Sequence, residues 1–153
     1  MRQYSGEKAD DLKDYVCSVL DSLGLSYRKE QYSAVKSAII GKARRVDVVV
    51  VDSDGDALMH IECKHQRVGG TTEDKLFRAV TEANRDKDHG IPSIIVFSGF
   101  GFTPADMRHA MLNGSVRVEL LEDWLQLYFN YEKEKPDSIL EKGPPSPGPL
   151  FEA

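Results

Sequence analysis

In the stretch Leu58-Met59-His60-Ile61-Glu62-Cys63-Lys64, polar and apolar residues alternate toward its end. Side chains on a strand point to opposite faces in turn, so His60, Glu62 and Lys64 share one face while Met59, Ile61 and Cys63 share the other. Asp47 stands just before the β-branched run Val48-Val49-Val50-Val51, which favours a buried strand. Between the two stretches, Asp52-Ser53-Asp54-Gly55-Asp56 is a dense turn signal, so the second strand should return antiparallel to the first. Such a hairpin can bring Asp47 close to Glu62 and Lys64. Two carboxylates can hold a hard divalent cation such as Mg²⁺, with positions left for water and a phosphate oxygen. The cation polarises phosphorus and lowers the pKa of a bound water. A lysine two residues beyond the second carboxylate can orient that water or offset charge growing on the phosphate. The backbone carbonyl of Cys63 adds an oxygen ligand between Glu62 and Lys64. The chemistry this set suits is phosphodiester hydrolysis. An exposed strand face with a weak ion pair is the competing reading. Context opposes it, because charges abutting four valines and ending an apolar strand are costly unless used.

The elements that must position these residues follow from periodicity. Leu12, Val16, Val19, Leu20 and Leu23 fall three and four apart and predict a helix over 8–23, stopped by Gly24. A strand is expected over 26–32, and 33–42 is ambiguous between a short strand and a turn. The hairpin strands are expected over 45–52 and 57–64. After Gly69-Gly70, Thr71 and Asp74 form a capping-box pattern, and Leu76, Val80 and Ala83 mark a second helix. Ser93 to Phe97 is almost wholly apolar and reads as a central strand. A short helix should begin at Thr103 or Pro104 and run to Met111, followed by a strand over 116–120 and a helix over 122–131. This order predicts an α/β fold with a mixed sheet between helices.

With 153 residues, the chain suits a single domain with one sizeable core. Residues 1–131 are read as that domain. From 132 the composition changes, and Lys142-Gly143-Pro144-Pro145-Ser146-Pro147-Gly148-Pro149 is expected to form a flexible tail to residue 153, able to serve as a ligand for a protein partner. The charged residues among the first twenty leave no signal-peptide core, and no apolar run is long enough to span a bilayer. Cys17 and Cys63 lack metal-finger spacing and read as reduced thiols. The net charge of −5 argues against a protein that coats nucleic acid, but a local basic stripe on an acidic body remains compatible with DNA contact.

Several weaker signals have two readings each. Lys75, Arg78 and Arg85 share a helical stripe and suit DNA phosphates, against a solvated face near Glu73 and Glu82. Lys42, Arg44 and Arg45 lead into Asp47 and suit the same role, against a charged edge strand. His60 and Cys63 fall on opposite faces, which opposes a zinc site. Ser98-Gly99-Phe100-Gly101-Phe102 lacks the third glycine of a dinucleotide loop and reads as a tight strand-to-helix turn. Trp124, Leu121, Leu125 and Tyr128 form an apolar helical face, for a core or a subunit interface.

Asp47 followed after a turn by Ile61-Glu62-Cys63-Lys64 resembles the PD-(D/E)xK nuclease superfamily of restriction-endonuclease-like folds. The wider stretches Arg44-Arg45-Val46-Asp47, Ile61 to Gln66, Gly70 to Lys75, Ile91-Pro92 and Ser98 to Phe102 are similar to small phage and bacterial members. The resemblance covers roughly residues 7–126. It implies a Mg²⁺-dependent deoxyribonuclease, endonuclease rather than exonuclease, with Mn²⁺ able to substitute. Asp47 and Glu62 would hold metal, Lys64 would be the catalytic lysine, and Gln66 would lie near the scissile phosphate. DNA is the implied partner, contacted by Arg44, Arg45, Lys75 and Arg78; a homodimer would let two sites address two strands. A cytoplasmic protein of bacterial or phage origin is expected. Two departures stand out. Val46 replaces the usual proline, and Lys13 falls where many members place a metal-binding acid on the first helix. That role is either absent from this chain or moved to Glu7, Asp10 or Asp11; Glu7 is the residue assigned to it, against the plainer reading of Glu7 as a solvated first-turn carboxylate. The rival functions are a non-cleaving DNA-binding module and a protein-interaction module on the same fold.

Overall fold

Leu12, Val16, Val19 and Leu20 are fully buried and form the inner stripe of helix α1 (Ala9–Ser22). The structure, a computed structural model, describes residues 4, 9–37, 39–66 and 74–134. Gly24, at φ 73°, takes the left-handed conformation that ends the helix and turns the chain into strand β1 (Ser26–Lys36). The Ser37 N–H donates to the Lys42 carbonyl at 2.7 Å, just before β2 (Ala43–Val51). The β1 strand thus runs four residues beyond the predicted 26–32 and takes up the first part of the ambiguous segment. Most of its side chains are exposed, as suits an edge strand carrying Arg28, Lys29 and Glu30.

The Asp-rich turn joins β2 to β3 (Ala57–His65) antiparallel, as the turn chemistry predicts. Helix α2 (Asp74–Asp88) crosses to β4 (Ser93–Ser98), which lies parallel to β3 and is buried along its whole length. The Thr71 capping box falls outside the described residues. Helix α3 (Pro104–Leu112) is capped by Thr103, whose hydroxyl accepts the Asp106 N–H at 3.1 Å. The strand predicted over 116–120 is shorter: only β5 (Val116–Arg117) pairs with β4, and Val118–Leu120 winds into a 3₁₀ turn. Val118 is buried but Glu119 and Leu120 are not, so the apolar alternation that reads as a strand is local and partner-free.

The five strands form one mixed sheet in the order β1-β2-β3-β4-β5. Strand alternation divides its surface. On one face lie Val46, Val48, Val50, Met59, Ile61 and Cys63, with α1 beyond them, where Cys17 lies close enough to Cys63 for charge on one to oppose charge on the other. On the other face, Leu76, Ala79, Val80 and Ala83 of α2 pack with Ile95, Phe97, Phe102 and Ala110. The chain divides into two units, Met1–Leu121 and Glu122–Ala153. The second contains most of helix α4 (Leu121–Glu134), on which Trp124 and Tyr128 stack with centroids 5.3 Å apart. No helix among the described residues is long and apolar enough to cross a membrane.

Candidate active site

The β2–β3 register decides whether the three sequence-derived residues meet. Val49 pairs with His60 and Val48 with Ile61, where the ladder ends, so Asp47 and Glu62 are the next residues of the two strands. At this end of the ladder the Asp47 carboxylate accepts the Cys63 N–H at 2.8 Å and so pins the segment that carries Glu62 and Lys64. Its carboxyl group also lies within interaction range of Glu62. In the parallel β3–β4 pairing, Lys64 stands beside Phe97, and Glu62 beside Ile95. Asp47, Glu62 and Lys64 therefore converge where the antiparallel hairpin ends and the central strand continues.

Glu62 is 8% exposed, and its carboxyl is raised to about 7, first by burial and then by the negative charge of Asp47. Arg44 and Lys64 pull the other way. Arg44 is the immediate counter-ion: one guanidinium nitrogen lies 2.7 Å from Glu62 Oε1, another reaches Asp86, and Nε lies 3.5 Å from Glu82. Asp86 also meets His60 Nδ1 at 3.0 Å and accepts from Ser93 Oγ at 3.2 Å. Burial opposes ionisation of Asp86, but the His60 hydrogen bond and the Arg44 charge outweigh it, leaving its pKa lowered. Arg44, expected to face DNA phosphates, is thus engaged by three carboxylates.

Glu82 and Asp86 are the residues that sequence reasoning missed. Glu82 reads as part of a solvated face, yet it is 7% exposed, and Asp86 is 1% exposed. Ala79, Glu82 and Asp86 follow helical spacing along the stripe of α2 that faces the hairpin, next to the apolar stripe of Leu76, Val80 and Ala83. A signal was present in that spacing, but its polar residues could equally have lain in solvent.

Lys13 is also recovered in an unexpected place. Its ammonium lies 3.9 Å from Asp47 Oδ1 and 3.0 Å from Glu30 Oε1. The first helix thus does approach the site, but with a cation at the place where an acid is common. Glu7 lies outside the described residues. Gln66 is held by the strand-to-helix loop: its N–H reaches the Ser98 carbonyl, its carbonyl takes the Gly101 N–H at 2.8 Å, and its side-chain amide donates to the Gly101 carbonyl at 3.2 Å.

A cleft of about 560 Å³ opens over this region. Arg44, Arg45, Glu62, Cys63, Lys64, Lys75, Arg78 and Glu82 line it, together with Ile39, Ile40 and Phe102. All four residues expected to contact DNA therefore border one cavity with Glu62 and Lys64. Arg85 does not; its Nε donates to the Lys36 carbonyl at 2.6 Å. A separate acidic group, Asp52, Asp54 and Asp56, belongs to the exposed hairpin turn, where Asp52 accepts the N–H groups of the other two at 2.9 Å.

Comparison with known proteins agrees with this architecture. No curated protein matches the chain. Among solved structures, Can2 from Sulfobacillus thermosulfidooxidans, determined in complex with cyclic tetra-adenylate, is similar with a TM-score of 0.54 at 18% identity. The likeness covers 76% of this chain and 35% of Can2. A protein of unknown function, AF1548, is similar with a TM-score of 0.49 at 18% identity, over 69% of this chain and 54% of that one. The chain therefore spans about half of the one and about a third of the other, and at such identity the likeness to Can2 speaks for the fold alone. The model of the PD-(D/E)XK nuclease superfamily domain matches residues 4–128, which takes in the whole sheet, the Asp47–Glu62–Lys64 convergence and the basic cleft. On that match and that fold, the chain belongs to the PD-(D/E)XK nuclease superfamily.

Proposed function

We propose that this protein is a metal-dependent nuclease that hydrolyses DNA phosphodiester bonds. The observation that carries the reading is the approach of the Asp47 carboxylate to Glu62, which with Lys64 lines a cleft bordered by Arg45, Lys75 and Arg78. The donor set fits a hard cation: the Asp47 and Glu62 carboxylates approach closely enough to raise the Glu62 pKa, an arrangement that a divalent ion relieves. Asp47, Glu62 and the Cys63 carbonyl would hold Mg²⁺, or Mn²⁺ in its place, which would polarise the phosphodiester and acidify water. Lys64 Nζ would orient the attacking water or offset charge on the phosphate oxygens. Arg45, Lys75 and Arg78 would bind backbone phosphates without reading sequence. Asp47, through its bond to the Cys63 N–H, also keeps the β3 backbone in register for both neighbours.

In this reading residues 1–131 form the nuclease domain, and 132–153 form a tail that is dispensable for cleavage. The test is a cleavage panel of duplex, nicked, branched and single-stranded DNA in Mg²⁺ and in Mn²⁺, with Asp47→Ala and Lys64→Ala alongside. Cleavage of at least one form by the parent protein, lost in both variants, is the expected result. No cleavage of any form, or cleavage that survives both substitutions, would overturn the reading.

A further inference from the structure

Phe100 is 84% exposed in the short loop between β4 and α3, two residues before the cleft-lining Phe102. The ring is nevertheless supported from behind. The Arg117 guanidinium carbon lies 4.8 Å from its centroid, and the same guanidinium covers Phe97 at 5.3 Å. Arg117 is fixed in turn: it donates to the Gly99 carbonyl at 2.7 Å and makes two 2.9 Å bonds to Glu119. Its charge is matched by Glu119, so it serves as a flat support for the ring and not as a spare phosphate contact.

The sheet ties this aromatic platform to Lys64. Parallel pairing aligns Lys64 with Phe97, and Phe97 with Arg117, so these residues form one row across β3, β4 and β5 on a single face. Two strand spacings separate Lys64 from Arg117, about 10 Å. The loop itself is anchored to Gln66 through the paired Gly101 bonds, and Phe102 at its far end lines the basic cleft. Gly99, at φ 85°, allows the sharp turn that presents the ring.

We propose that the open face of Phe100 stacks one unpaired nucleobase beside the cleavage site, so that the substrate is nucleic acid with single-stranded character where it is cut. The inference rests on the nuclease reading above and adds to it the form of the substrate. A rigid aromatic face beside a groove of cations is the combination that binds single strands: the groove follows the phosphates, and the ring takes a base of any identity. In a duplex the base faces are occupied by their neighbours, so a stacking residue gains nothing until a base is unstacked.

The test uses the full-length chain with Lys64→Ala to suppress cleavage. This protein is titrated with a labelled single-stranded oligonucleotide and with a blunt duplex of the same sequence, with and without Phe100→Ala and Phe100→Trp. Phe100→Ala is expected to weaken single-strand binding roughly tenfold while leaving duplex binding nearly unchanged, and Phe100→Trp to restore it. Exposure of the ring makes misfolding of these variants an unexpected outcome, which thermal unfolding checks directly. Equal losses on both DNA forms, or no loss on either, would overturn the proposal; the second outcome would assign the ring to another contact, such as a protein surface. Cleavage by the parent protein, run in parallel, separates the two claims. A parent that cuts DNA but whose Phe100→Ala variant binds single strands unchanged refutes the platform alone. A parent that neither binds nor cuts refutes both.

Discussion

Arg44 holds Glu62: its guanidinium lies 2.7 Å from Glu62 Oε1 while its other nitrogens reach Glu82 and Asp86. One of the two carboxylates proposed to bind a cation therefore already has a positive partner within the protein. A single guanidinium against three carboxylates leaves the buried group short of positive charge. Occupation by a divalent ion would ease that shortage without dismantling the Arg44–Glu82–Asp86 side of the network.

Arg44→Ala is expected to destabilise the protein by about 3 kcal/mol, because it removes the guanidinium shared by the buried Glu62, Glu82 and Asp86 carboxylates. Urea unfolding of parent and variant measures this. A loss below about 1 kcal/mol would mean that the network behaves like a surface ion pair, contrary to its burial.

Lys64 is only half-buried, so Lys64→Ala should leave the fold standing while cleavage falls by about 10² to 10³. Asp47→Asn should remove stabilisation by metal as well as activity. For the parent, Mg²⁺ at about a hundred times its dissociation constant should add about 2.7 kcal/mol. Differential scanning fluorimetry with and without Mg²⁺ reads this shift; an equal shift in Asp47→Asn would remove Asp47 from the proposed ligand set.

Glu62 sets an unusual pH dependence for the metal-free protein. Burial and the Asp47 charge raise its carboxyl from 4.5 to about 7, so between these values the folded chain keeps a proton that the unfolded chain has lost. This group's contribution to stability is thus greatest below the ordinary glutamate value and declines as pH rises through that window. Above it, the ionised carboxylate is a constant cost. Glu62→Gln should accordingly be more stable than the parent in chelator at about pH 8, lose that advantage at about pH 4, and cleave nothing at either. Thermal melts across pH check the sign, and a variant less stable than the parent at the alkaline end would refute it.

Arg45, Lys75 and Arg78 border the cleft, and among the described residues none of them has a counter-ion as close as that of Arg44. Each substitution to alanine should weaken DNA binding similarly for all sequences and reduce the slope of log K against log salt by about 0.7 to 0.9. Titrations at several salt concentrations give the slope. A variant with lower affinity but an unchanged slope would show that its contact is not with phosphate.

Much of the fold was legible because its signals are local. The stripe of Leu12, Val16 and Leu20, the valine run, the Asp-Gly turn and the Thr103 cap each act over a few residues, and each appears within a few residues of its expected place. Where neighbours decide, the reading failed. Val118–Leu120 alternates like a strand, but only Val116–Arg117 find a partner on β4. The β1 strand continues through Ser33 to Lys36, because an edge strand ends where its neighbour lets it, and Lys36 still pairs with Ala43.

The candidate site divides in the same way. Strand alternation alone places Glu62 and Lys64 on one face, since the period of two is a property of the extended backbone. Asp47 joins them through the register of the hairpin, and register is a relation between strands. Glu82 and Asp86 are a sharper case: helical spacing puts them on one stripe, but only packing shows that the stripe faces Arg44 and not water. Lys13 reaches Asp47 and Phe100 reaches Arg117 through contacts between elements far apart in the chain. The sequence by itself determined the residue types, the strand faces and the family. Tertiary structure decided which charges are buried together, because burial depends on what lies opposite a side chain, and no local pattern encodes that.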